Sequence, residues 1–378
     1  MTDQSRSILQ VLPRLDTGGA ERVVIEITEA LSELGHNTII ACDGGVLTPA
    51  ATRAGAKIVN LPLASKSPFT MRRNAAQLVK LIKSANIDHI HAHSRAPAWS
   101  ALWAARRTQT PYVTSYHGTY NENAPFKRRY NAVMASGDRV IAVSAFIGSL
   151  VRERHKVGED RLRIIPGGVD SYKFDPALVQ GDRMAKLARD WRLDVDTPII
   201  MLAGRLTAWK GQRILIAALA MMRHTNAVAV LVGSDQGREN FAQSLISQAQ
   251  SLGVAGRLRM VGHTEDMPAA LMLADIVVNA STDPEGFGRT VVEAQAMGRV
   301  VIATNHGGAG DTITNGETGF LVPPGDARAL ADALDHALDF STEQRLAWGE
   351  HTRAVVSDNF SVQAMQYAVL RVYGELLD

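Results

Sequence analysis

Short apolar segments alternate with amphipathic segments along most of this 378-residue chain, and this alternation restricts the fold more than any other feature. Apolar runs of strand length separated by segments of helix length predict repeated β-α units around parallel sheets. The runs that we interpret as strands are residues 8–12, 38–41, 57–61, 89–91, 112–116, 139–143, 162–165, 199–203, 227–232, 258–261, 276–279, 300–304 and 319–322.

The alternation is interrupted once, between residues 166 and 198, by three prolines, a Pro-Gly-Gly turn and a charged segment of helical pattern. A length of 378 residues favours two domains at about 100–200 residues each. We place the first domain at 1–180 and the second at 181–357. The sequence therefore predicts two Rossmann-like α/β domains facing a central cleft, with ligands outside the carboxyl ends of the strands.

The composition excludes several classes of protein. A hydrophobic fraction of 46% with 21% charged residues excludes a disordered chain. The one cysteine, Cys42, excludes an intrachain disulfide and a thiolate zinc cluster. The first residues lack a signal-peptide pattern, and no apolar run is long enough for a membrane span, so we predict a cytoplasmic protein.

The small net charge of +2 conceals two halves of opposite sign. Residues 1–170 contain 22 Lys and Arg against 14 Asp and Glu, a balance of +8. Residues 171–378 contain 18 against 24, a balance of −6. One half is basic and the other acidic, and this split needs an explanation.

The segment with the most chemical content is Glu-Gly-Phe-Gly-Arg-Thr-Val-Val-Glu at residues 285–293. It follows a predicted strand and opens a helix near Arg289, so its glycines admit a ligand to the backbone and the helix N-terminus suits a phosphate. Because carboxylates repel phosphate, we interpret Glu285 and Glu293 as ligands of sugar or ribose hydroxyls. The alternative is a capped helix with an ordinary surface glutamate.

Two further loops follow predicted strands and carry residues suited to phosphate. Arg205 and Lys210 lie in residues 204–211, and their guanidinium and ammonium groups suit a diphosphate. The alternative is a pair of exposed loop cations. Gly18 and Gly19 open the first helix, but without a G-x-G-x-x-G pattern they equally fit a tight turn.

Histidines form the last set of candidates. His117 follows a strand and precedes a glycine, which makes it a candidate site residue, with a structural histidine as the alternative. His89, His91 and His93 share one face of a strand because alternate residues point the same way. They imitate a metal site, but no nearby carboxylate completes it, and we predict no metal.

Taken in order, these segments resemble family GT4 of the retaining, nucleotide-sugar-dependent glycosyltransferases with the GT-B fold. The resemblance covers nearly the whole chain. It is carried by Gly18-Gly19, His117-Gly118, the Ile-Pro-Gly-Gly-Val-Asp segment at 165–170, Arg205-x4-Lys210-Gly211 and Glu285-x7-Glu293.

The resemblance implies a catalytic group and a donor-binding group. The catalytic group is Arg205 and Lys210 on the donor diphosphate, with Glu285 and His117 on the donor sugar. The remaining donor contacts are Glu293 at the ribose, Phe287, Gly288 and Arg289 at the phosphate and sugar, Gly18 and Gly19 closing over the phosphates, and Glu265 and Met267 beside the base.

Further implications concern the mechanism and the chain ends. The resemblance implies retaining transfer without a metal or other cofactor, and no residue is an obvious covalent nucleophile. It also implies that the C-terminal helix, about 358–378, packs back on the first domain.

The same resemblance makes the basic half the acceptor half. Cations cluster at 66–83 and 127–129, with Phe69, Met71 and Phe126 beside them. This pattern indicates an anionic membrane or a phosphorylated glycolipid, with a solvated helix face as the alternative. No nucleic-acid-binding motif accompanies the charge, so we predict no nucleic acid partner.

Residues 13–22 are similar to transferases of bacterial lipopolysaccharide cores and other envelope glycans. We therefore expect a hexose from GDP-mannose or a UDP-hexose to reach a lipid-linked or lipopolysaccharide-core acceptor at the inner face of the cytoplasmic membrane. The alternatives are a nucleotide-sugar epimerase of the same fold and a non-catalytic sugar-nucleotide-binding protein.

Overall fold

A computed structural model describes residues 5–194 and 196–377 of the chain, which forms two compact units. Unit 1 runs to Gly167 and takes up the chain again from Val362, whereas unit 2 is Gly168–Ser361. The division thus lies at residue 167 rather than 180. Unit 1 contains 23 Lys and Arg against 15 Asp and Glu, and unit 2 contains 17 against 23, so the balances of +8 and −6 persist.

Unit 1 is built on a seven-stranded parallel sheet in the order β3-β2-β1-β4-β5-β6-β7. All five residues of β5 are buried, as expected for a parallel sheet covered on both faces. The strands are β1 Ser7–Val11, β2 Asn37–Cys42, β3 Ala56–Asn60, β4 His89–Ala92, β5 Tyr112–Tyr116, β6 Arg139–Ala142 and β7 Leu162–Ile164.

Helices pack against this sheet with their apolar faces inward. Met365, Val369 and Tyr373 of the C-terminal helix share one buried cluster with Val23 and Ile27 of the first helix. The helices of unit 1 are α1 Gly19–Glu33, α2 Thr48–Arg53, α3 Pro68–Ser84, α4 Arg95–Thr108, α5 Pro125–Asn131, α6 Ala145–His155 and α15 Val362–Gly374.

Unit 2 is built on a six-stranded parallel sheet in the order β10-β9-β8-β11-β12-β13. Its strands are β8 Ile199–Ala203, β9 Val228–Val232, β10 Leu258–Gly262, β11 Ile276–Asn279, β12 Val300–Thr304 and β13 Phe320–Val322. Its helices are α7 Gly181–Trp191, α8 Gln212–Met221, α9 Glu239–Ser251, α10 Met267–Leu273, α11 Arg289–Ala296, α12 Ala309–Thr312, α13 Ala327–Leu338 and α14 Thr342–Asn359.

The strand orders define where each sheet can bind a ligand. In unit 1 the chain winds from β1 to β3 on one side and from β4 to β7 on the other, so the strand order reverses between β1 and β4. In unit 2 it reverses between β8 and β11. Open α/β sheets bind ligands outside the carboxyl ends of the strands at such a switch point.

The prediction of two Rossmann-like parallel-sheet domains is confirmed. The C-terminal helix expected at about 358–378 is α15, and it is separated from α14 because Ser361 pairs with Val169 in an isolated bridge. The short helix α2 had no prediction. Among the described residues, no helix combines the length and the apolar character that crossing a bilayer requires.

Candidate active site

The two loops at the switch point of unit 2 meet through one ion pair. Lys210 follows β8 and Glu285 follows β11, and the Lys210 Nζ donates to Glu285 Oε1 at 2.7 Å. Both side chains are 17% exposed, which leaves them reachable from solvent but mostly covered. The Lys210 Nζ also lies 4.4 Å from the centroid of the Trp209 ring, so an indole face and a carboxylate hold the ammonium group.

Glycine at position 211 allows the two loops to approach. Gly211 has φ +76°, and a Cβ there would overlap the backbone carbonyl of Ala280. The Thr282 N–H donates to the Trp209 carbonyl at 2.7 Å and extends the same contact. The loop before α8 is thus fastened to the loop after β11 by backbone contacts, which fixes the positions of Lys210 and Glu285.

Opposed effects set the charge of Glu285. Burial raises the pKa of its carboxyl, but the Lys210 charge and hydrogen bonds from Lys210, Ser281 and Asn279 outweigh burial and leave the pKa below its ordinary value. Glu285 is therefore ionised at neutral pH. An ionised carboxylate accepts hydrogen bonds from hydroxyls, which agrees with the interpretation of Glu285 as a sugar ligand.

The helix that follows this loop carries the other predicted donor residues. Gly288 caps α11 at φ +85°, and Phe287 is buried beside Phe360, with ring centroids 5.8 Å apart. Glu293 is 6% exposed, and its Oε1 lies 3.7 Å from the Arg289 Nε. The second carboxylate of the motif thus lies inside the unit, one turn into the helix.

Arg205 is placed differently from Lys210. Its side chain is exposed, whereas its backbone carbonyl accepts a hydrogen bond from the buried Gln212 side chain at 2.9 Å. The loop backbone is therefore ordered by α8, and the guanidinium extends from it into solvent. Unlike Lys210, which is paired with Glu285, the exposed guanidinium of Arg205 is available to an anionic ligand.

A second glycine pair, which had no prediction, supports the Glu285 loop. Gly307 has φ +68°, and a Cβ there would lie 2.6 Å from the Glu285 carbonyl oxygen. The Gly308 N–H donates to that carbonyl at 2.9 Å, and His306 Nε2 lies 2.9 Å from the Ser281 carbonyl oxygen. The sequence feature that could have identified this pair is the His-Gly-Gly segment just after the predicted strand 300–304.

The segment predicted to lie beside the base follows the edge strand β10, two strands from β8. Glu265 is exposed and Met267 opens α10. Between them, Asp266 caps that helix and pairs with Arg183, whose NH2 lies 2.5 Å from Asp266 Oδ1. Hydrogen bonding to Arg183 lowers the pKa of Asp266. This loop is ordered by Asp266, which sequence reasoning passed over.

In unit 1 the predicted site residues lie at the carboxyl ends of β1 and β5. Gly18 is the residue before α1, and Gly19 is its first residue. His117 follows β5, and its Nε2 lies 3.0 Å from Nδ1 of His93, which follows β4. The histidine predicted as catalytic is thus joined to a neighbouring strand by a hydrogen bond.

The row of histidines on β4 packs inside unit 1. His91 Nδ1 lies 2.7 Å from the Tyr373 hydroxyl and its Nε2 lies 2.7 Å from the Ser115 hydroxyl. Burial and neighbouring histidines lower the pKa of His91 and His93 well below the ordinary value, so both rings are neutral. Across the part of the chain that the structure describes, no three His, Cys, Asp or Glu side chains are grouped to hold a metal ion.

The basic residues of unit 1 lie on exposed helix faces. Phe69 is 82% exposed at the start of α3 and Phe126 is 85% exposed at the start of α5. The expectation that Met71 shares this face is wrong, because Met71 is 5% exposed and belongs to the buried side of α3. Helices that follow parallel strands begin at the carboxyl edge of the sheet, so both phenylalanines lie at the edge that carries His117.

Family models match both units. A model described as glycosyltransferase family 4 matches residues 17–173, and a model described as glycosyl transferases group 1 matches residues 184–355. The first contains the Gly18-Gly19 loop and His117, and the second contains the Lys210–Glu285 pair. The fold and these loops define a glycosyltransferase of the GT-B class.

Known glycosyltransferases are similar to this chain in sequence and in structure. A glycosyltransferase from Rickettsia africae ESF-5 has 36% sequence identity and a TM-score of 0.91, with 99% of each chain covered. The crystal structure of Anabaena Alr3699/HepE in complex with UDP-glucose has 22% identity and a TM-score of 0.85, covering 98% of this chain and 99% of that one. A phosphatidyl-myo-inositol mannosyltransferase of Mycobacterium leprae is 26% identical, covering 94% of this chain and 92% of its own length. The chain belongs to the GT4 glycosyltransferases and is an enzyme that uses a nucleotide-sugar donor.

Proposed function

We propose that this enzyme transfers a hexose, with retention at the anomeric carbon, from GDP-mannose or a UDP-hexose to a lipid-linked or lipopolysaccharide-core acceptor of the bacterial envelope. The observation that carries the proposal is the Lys210–Glu285 pair at the switch point of unit 2. It puts a cation for phosphate beside a carboxylate for hydroxyls. A donor in which a diphosphate joins a sugar presents those two groups side by side.

The proposed chemistry depends on charge that develops as the donor bond breaks. Lys210 and Arg205 stabilise the departing nucleotide diphosphate, since fixed cations act most strongly where charge appears in the transition state. Glu285 accepts hydrogen bonds from sugar hydroxyls and so orients the ring. The leaving phosphate takes the proton of the acceptor hydroxyl on the same face, so transfer needs neither a covalent nucleophile nor a metal.

The remaining predicted residues complete the donor site in this proposal. Glu293 binds the ribose and the backbone at Phe287, Gly288 and Arg289 meets the phosphate and sugar. Glu265 and Met267 lie beside the base. Gly18 and Gly19 admit the phosphates to the first loop of unit 1, and His117 contacts the donor sugar.

Three observations support an anionic, lipid-linked acceptor. Unit 1 carries the +8 balance, and the exposed Phe69 and Phe126 stand beside Arg72, Arg73 and Lys127 at the carboxyl edge of its sheet. Exposed aromatic rings next to cations are typical of surfaces that bind anionic membranes. The relative from Mycobacterium leprae is named for a phosphatidylinositol acceptor.

The donor is tested by thermal shift with a panel of nucleotide sugars, followed by product analysis. A bound donor raises the melting temperature by mass action. At a donor concentration of one hundred times Kd, the free energy of unfolding rises by about 2.7 kcal/mol. We expect a shift with one of the two donor classes, and loss of that shift in Lys210→Ala. If folded Lys210→Ala and Arg205→Ala both turn over normally, the diphosphate role is wrong.

Product analysis also separates the transferase from its alternatives. An epimerase releases nucleotide and free sugar without an acceptor, and a non-catalytic binding protein leaves the donor intact. We expect turnover to rise when a lipid-linked acceptor is added and the product sugar to keep the α or β configuration of the donor. Inverted product would contradict retention, while leaving the donor assignment standing.

The membrane contact is tested by co-sedimentation with phosphatidylglycerol vesicles at low salt. We expect the double variant Arg72→Glu with Arg73→Glu to bind more weakly. Arg106→Glu with Arg107→Glu is the matched control, because these exposed residues end α4 at the opposite edge of the sheet and change the net charge equally. Equal loss in both would show that overall charge alone governs the binding.

A further inference from the structure

A chain of buried polar side chains in unit 1 leads from α1 to His117. Gln10 on β1 is 0% exposed, and its Oε1 lies 3.1 Å from His93 Nε2. His93 Nδ1 in turn lies 3.0 Å from His117 Nε2. The first member of this hydrogen-bonded series is Thr28 on α1, which is also fully buried. Buried side chains in a closed series of this kind have few alternative hydrogen-bond arrangements.

The orientation of the Gln10 amide is determined by a backbone carbonyl. Its nitrogen is 3.2 Å from the Val24 carbonyl oxygen and 3.0 Å from Thr28 Oγ1. A carbonyl only accepts, and the Thr28 hydroxyl gives its own proton to the same carbonyl at 2.8 Å. Both positions therefore require the NH2 group of Gln10, and its Oε1 must point toward His93.

This orientation fixes the proton on each histidine in succession. Because Gln10 Oε1 accepts, His93 Nε2 carries the proton and donates it. Neutral His93 then has a lone pair on Nδ1, so His117 Nε2 must be the donor in the contact between the two rings. Burial and the neighbouring His91 and His117 keep the pKa of His93 well below its ordinary value, which preserves that lone pair at neutral pH.

We propose that Gln10 and His93 are positioning residues that keep the proton of His117 on Nε2, so that the tautomer with a lone pair on Nδ1 accepts a hydrogen bond from a hydroxyl of the donor sugar. The last step depends on the proposed function, whereas the tautomer itself does not. Hydrogen bonds made by one ring nitrogen of a histidine decide the chemistry of the other nitrogen.

The tautomer is tested first on the unmodified full chain without donor. In protein labelled with ¹⁵N-histidine, long-range ¹H–¹⁵N spectra at pH 7.5 distinguish the two neutral tautomers, and His117→Gln identifies the His117 signals. We expect the proton on Nε2 of His117. A proton on Nδ1 would overturn the proposal, and the tautomer itself is measured on the unmodified protein.

Variants then test whether Gln10 and His93 are responsible. Gln10→Met has nearly the same shape without an acceptor, so we expect both tautomers of His117 to appear. His93→Phe removes the acceptor itself, and His93→Asn restores one near the position of Nδ1 and should restore the Nε2-protonated form. A wild-type spectrum in Gln10→Met would overturn the proposal.

The matched control is Ser115→Ala. Ser115 lies two residues before His117 and is 2% exposed, but it bonds to His91 rather than to this chain. We expect an unchanged His117 tautomer in Ser115→Ala even where its melting temperature falls as far as that of Gln10→Met. Equal changes of tautomer in the two variants would show a general loosening of the core and overturn the proposal.

Kinetics connect the tautomer to transfer. We expect Gln10→Met to lower kcat roughly threefold to tenfold, the scale of one hydrogen bond, and His93→Asn to recover most of what His93→Phe loses. A changed tautomer with unchanged kcat would overturn the step from His117 to the sugar hydroxyl. Absence of sugar transfer in the unmodified enzyme, with His117 protonated on Nε2, would instead refute the proposed function and leave the tautomer assignment standing.

Discussion

The two units hold polar side chains at their strand ends in opposite ways. In unit 2, Lys210 and Glu285 form an ion pair at 2.7 Å, and the Lys210 charge helps to keep the Glu285 carboxyl ionised. In unit 1, His91 and His93 lose the tendency to be charged because burial lowers their pKa, and neutral hydrogen bonds join them to their neighbours. A partly exposed pair can exchange its partner for a ligand, whereas a fully buried network can only orient the residue at its end.

The comparison is tested most severely by removing one charge of the pair in unit 2. We expect Glu285→Gln to lower kcat/KM about 10²–10³-fold, the effect of losing one preorganised electrostatic contact. Steady-state kinetics with the identified donor measure the change. The variant keeps the shape of the side chain, and the ammonium of Lys210 loses its countercharge.

Glu317→Gln serves as its control. Glu317 is also a glutamate of unit 2, but it is exposed, precedes β13 and is outside the proposed donor site. We expect a change of less than about threefold, the size of a small loss in hydrogen bonding. If both variants lose activity equally, the ion pair has no special part in the reaction.

The second test separates backbone contact from side-chain charge. Gly211→Ala combines a left-handed φ with overlap of the Ala280 carbonyl, whereas Gly253→Ala has a φ of +71° and open space around it. We expect about 1–2 kcal/mol of destabilisation at Gly253 from the backbone conformation alone. Gly211→Ala should cost more and weaken donor binding as well. Thermal unfolding and donor titration measure both, and equal losses would contradict the loop contact.

Much of the secondary structure could be predicted from the sequence. The strands 112–116, 199–203, 276–279 and 300–304 were predicted with the bounds that the structure has. Buried parallel strands appear as near-continuous runs of apolar, aromatic and β-branched residues. Helix α2 had no prediction, since six residues do not establish a helical period.

The site was predictable only in part. The sequence shows which charged residues follow a predicted strand, and Lys210 and Glu285 were predicted as site residues in this way. Their mutual contact could not be predicted, because it depends on β8 and β11 being neighbours although two strands and three helices separate them in sequence. The same reason hid Gly307 and the link between Gln10 and His93, whose partners lie on other strands.

The third test uses pH to protonate a buried histidine of unit 1 that lies outside the hydrogen-bonded network. His89 is 1% exposed, and neither ring nitrogen has a hydrogen-bond partner among the described residues. Burial lowers its pKa to about 4 from 6.5, so the unfolded chain binds the proton more readily than the fold does. Stability is therefore complete above pH 6.5 and declines as the pH falls toward 4, by at most about 1.4 kcal/mol per pH unit for each such group.

Urea unfolding between pH 7.5 and 4.5 measures this decline. We expect His89→Leu, which fills the space against Tyr373 without a titratable group, to flatten the slope. His351→Gln removes an exposed imidazole on α14 and should keep the slope of the unmodified protein. An unchanged slope in His89→Leu would show that the buried ring does not titrate on unfolding.

The smallest effect belongs to an ion pair that tests whether charge alone distinguishes the units. Glu375 joins α15 to the sheet of unit 1, with its Oε2 2.6 Å from Arg163 NH2 and 2.6 Å from Arg139 Nε. Hydrogen bonds from Arg163 and then Arg139 outweigh the effect of burial and lower the pKa of Glu375 to about 2. The carboxylate is 30% exposed, so we expect Glu375→Gln to cost only about 1 kcal/mol at pH 7.

Because the folded pKa of Glu375 is below its ordinary value of 4.5, the contribution is complete above pH 4.5 and is lost as the pH falls toward 2. The difference between Glu375→Gln and the unmodified protein should therefore narrow below pH 4.5, and 1 M salt should reduce it at pH 7. Asp190→Asn, which breaks a more exposed pair with Lys186 on α7, should cost less than Glu375→Gln in the same urea titration. If Glu375→Gln costs several times more than expected, unit 1 too relies on fixed charge, and the contrast with unit 2 would concern exposure to ligand rather than the presence of ions.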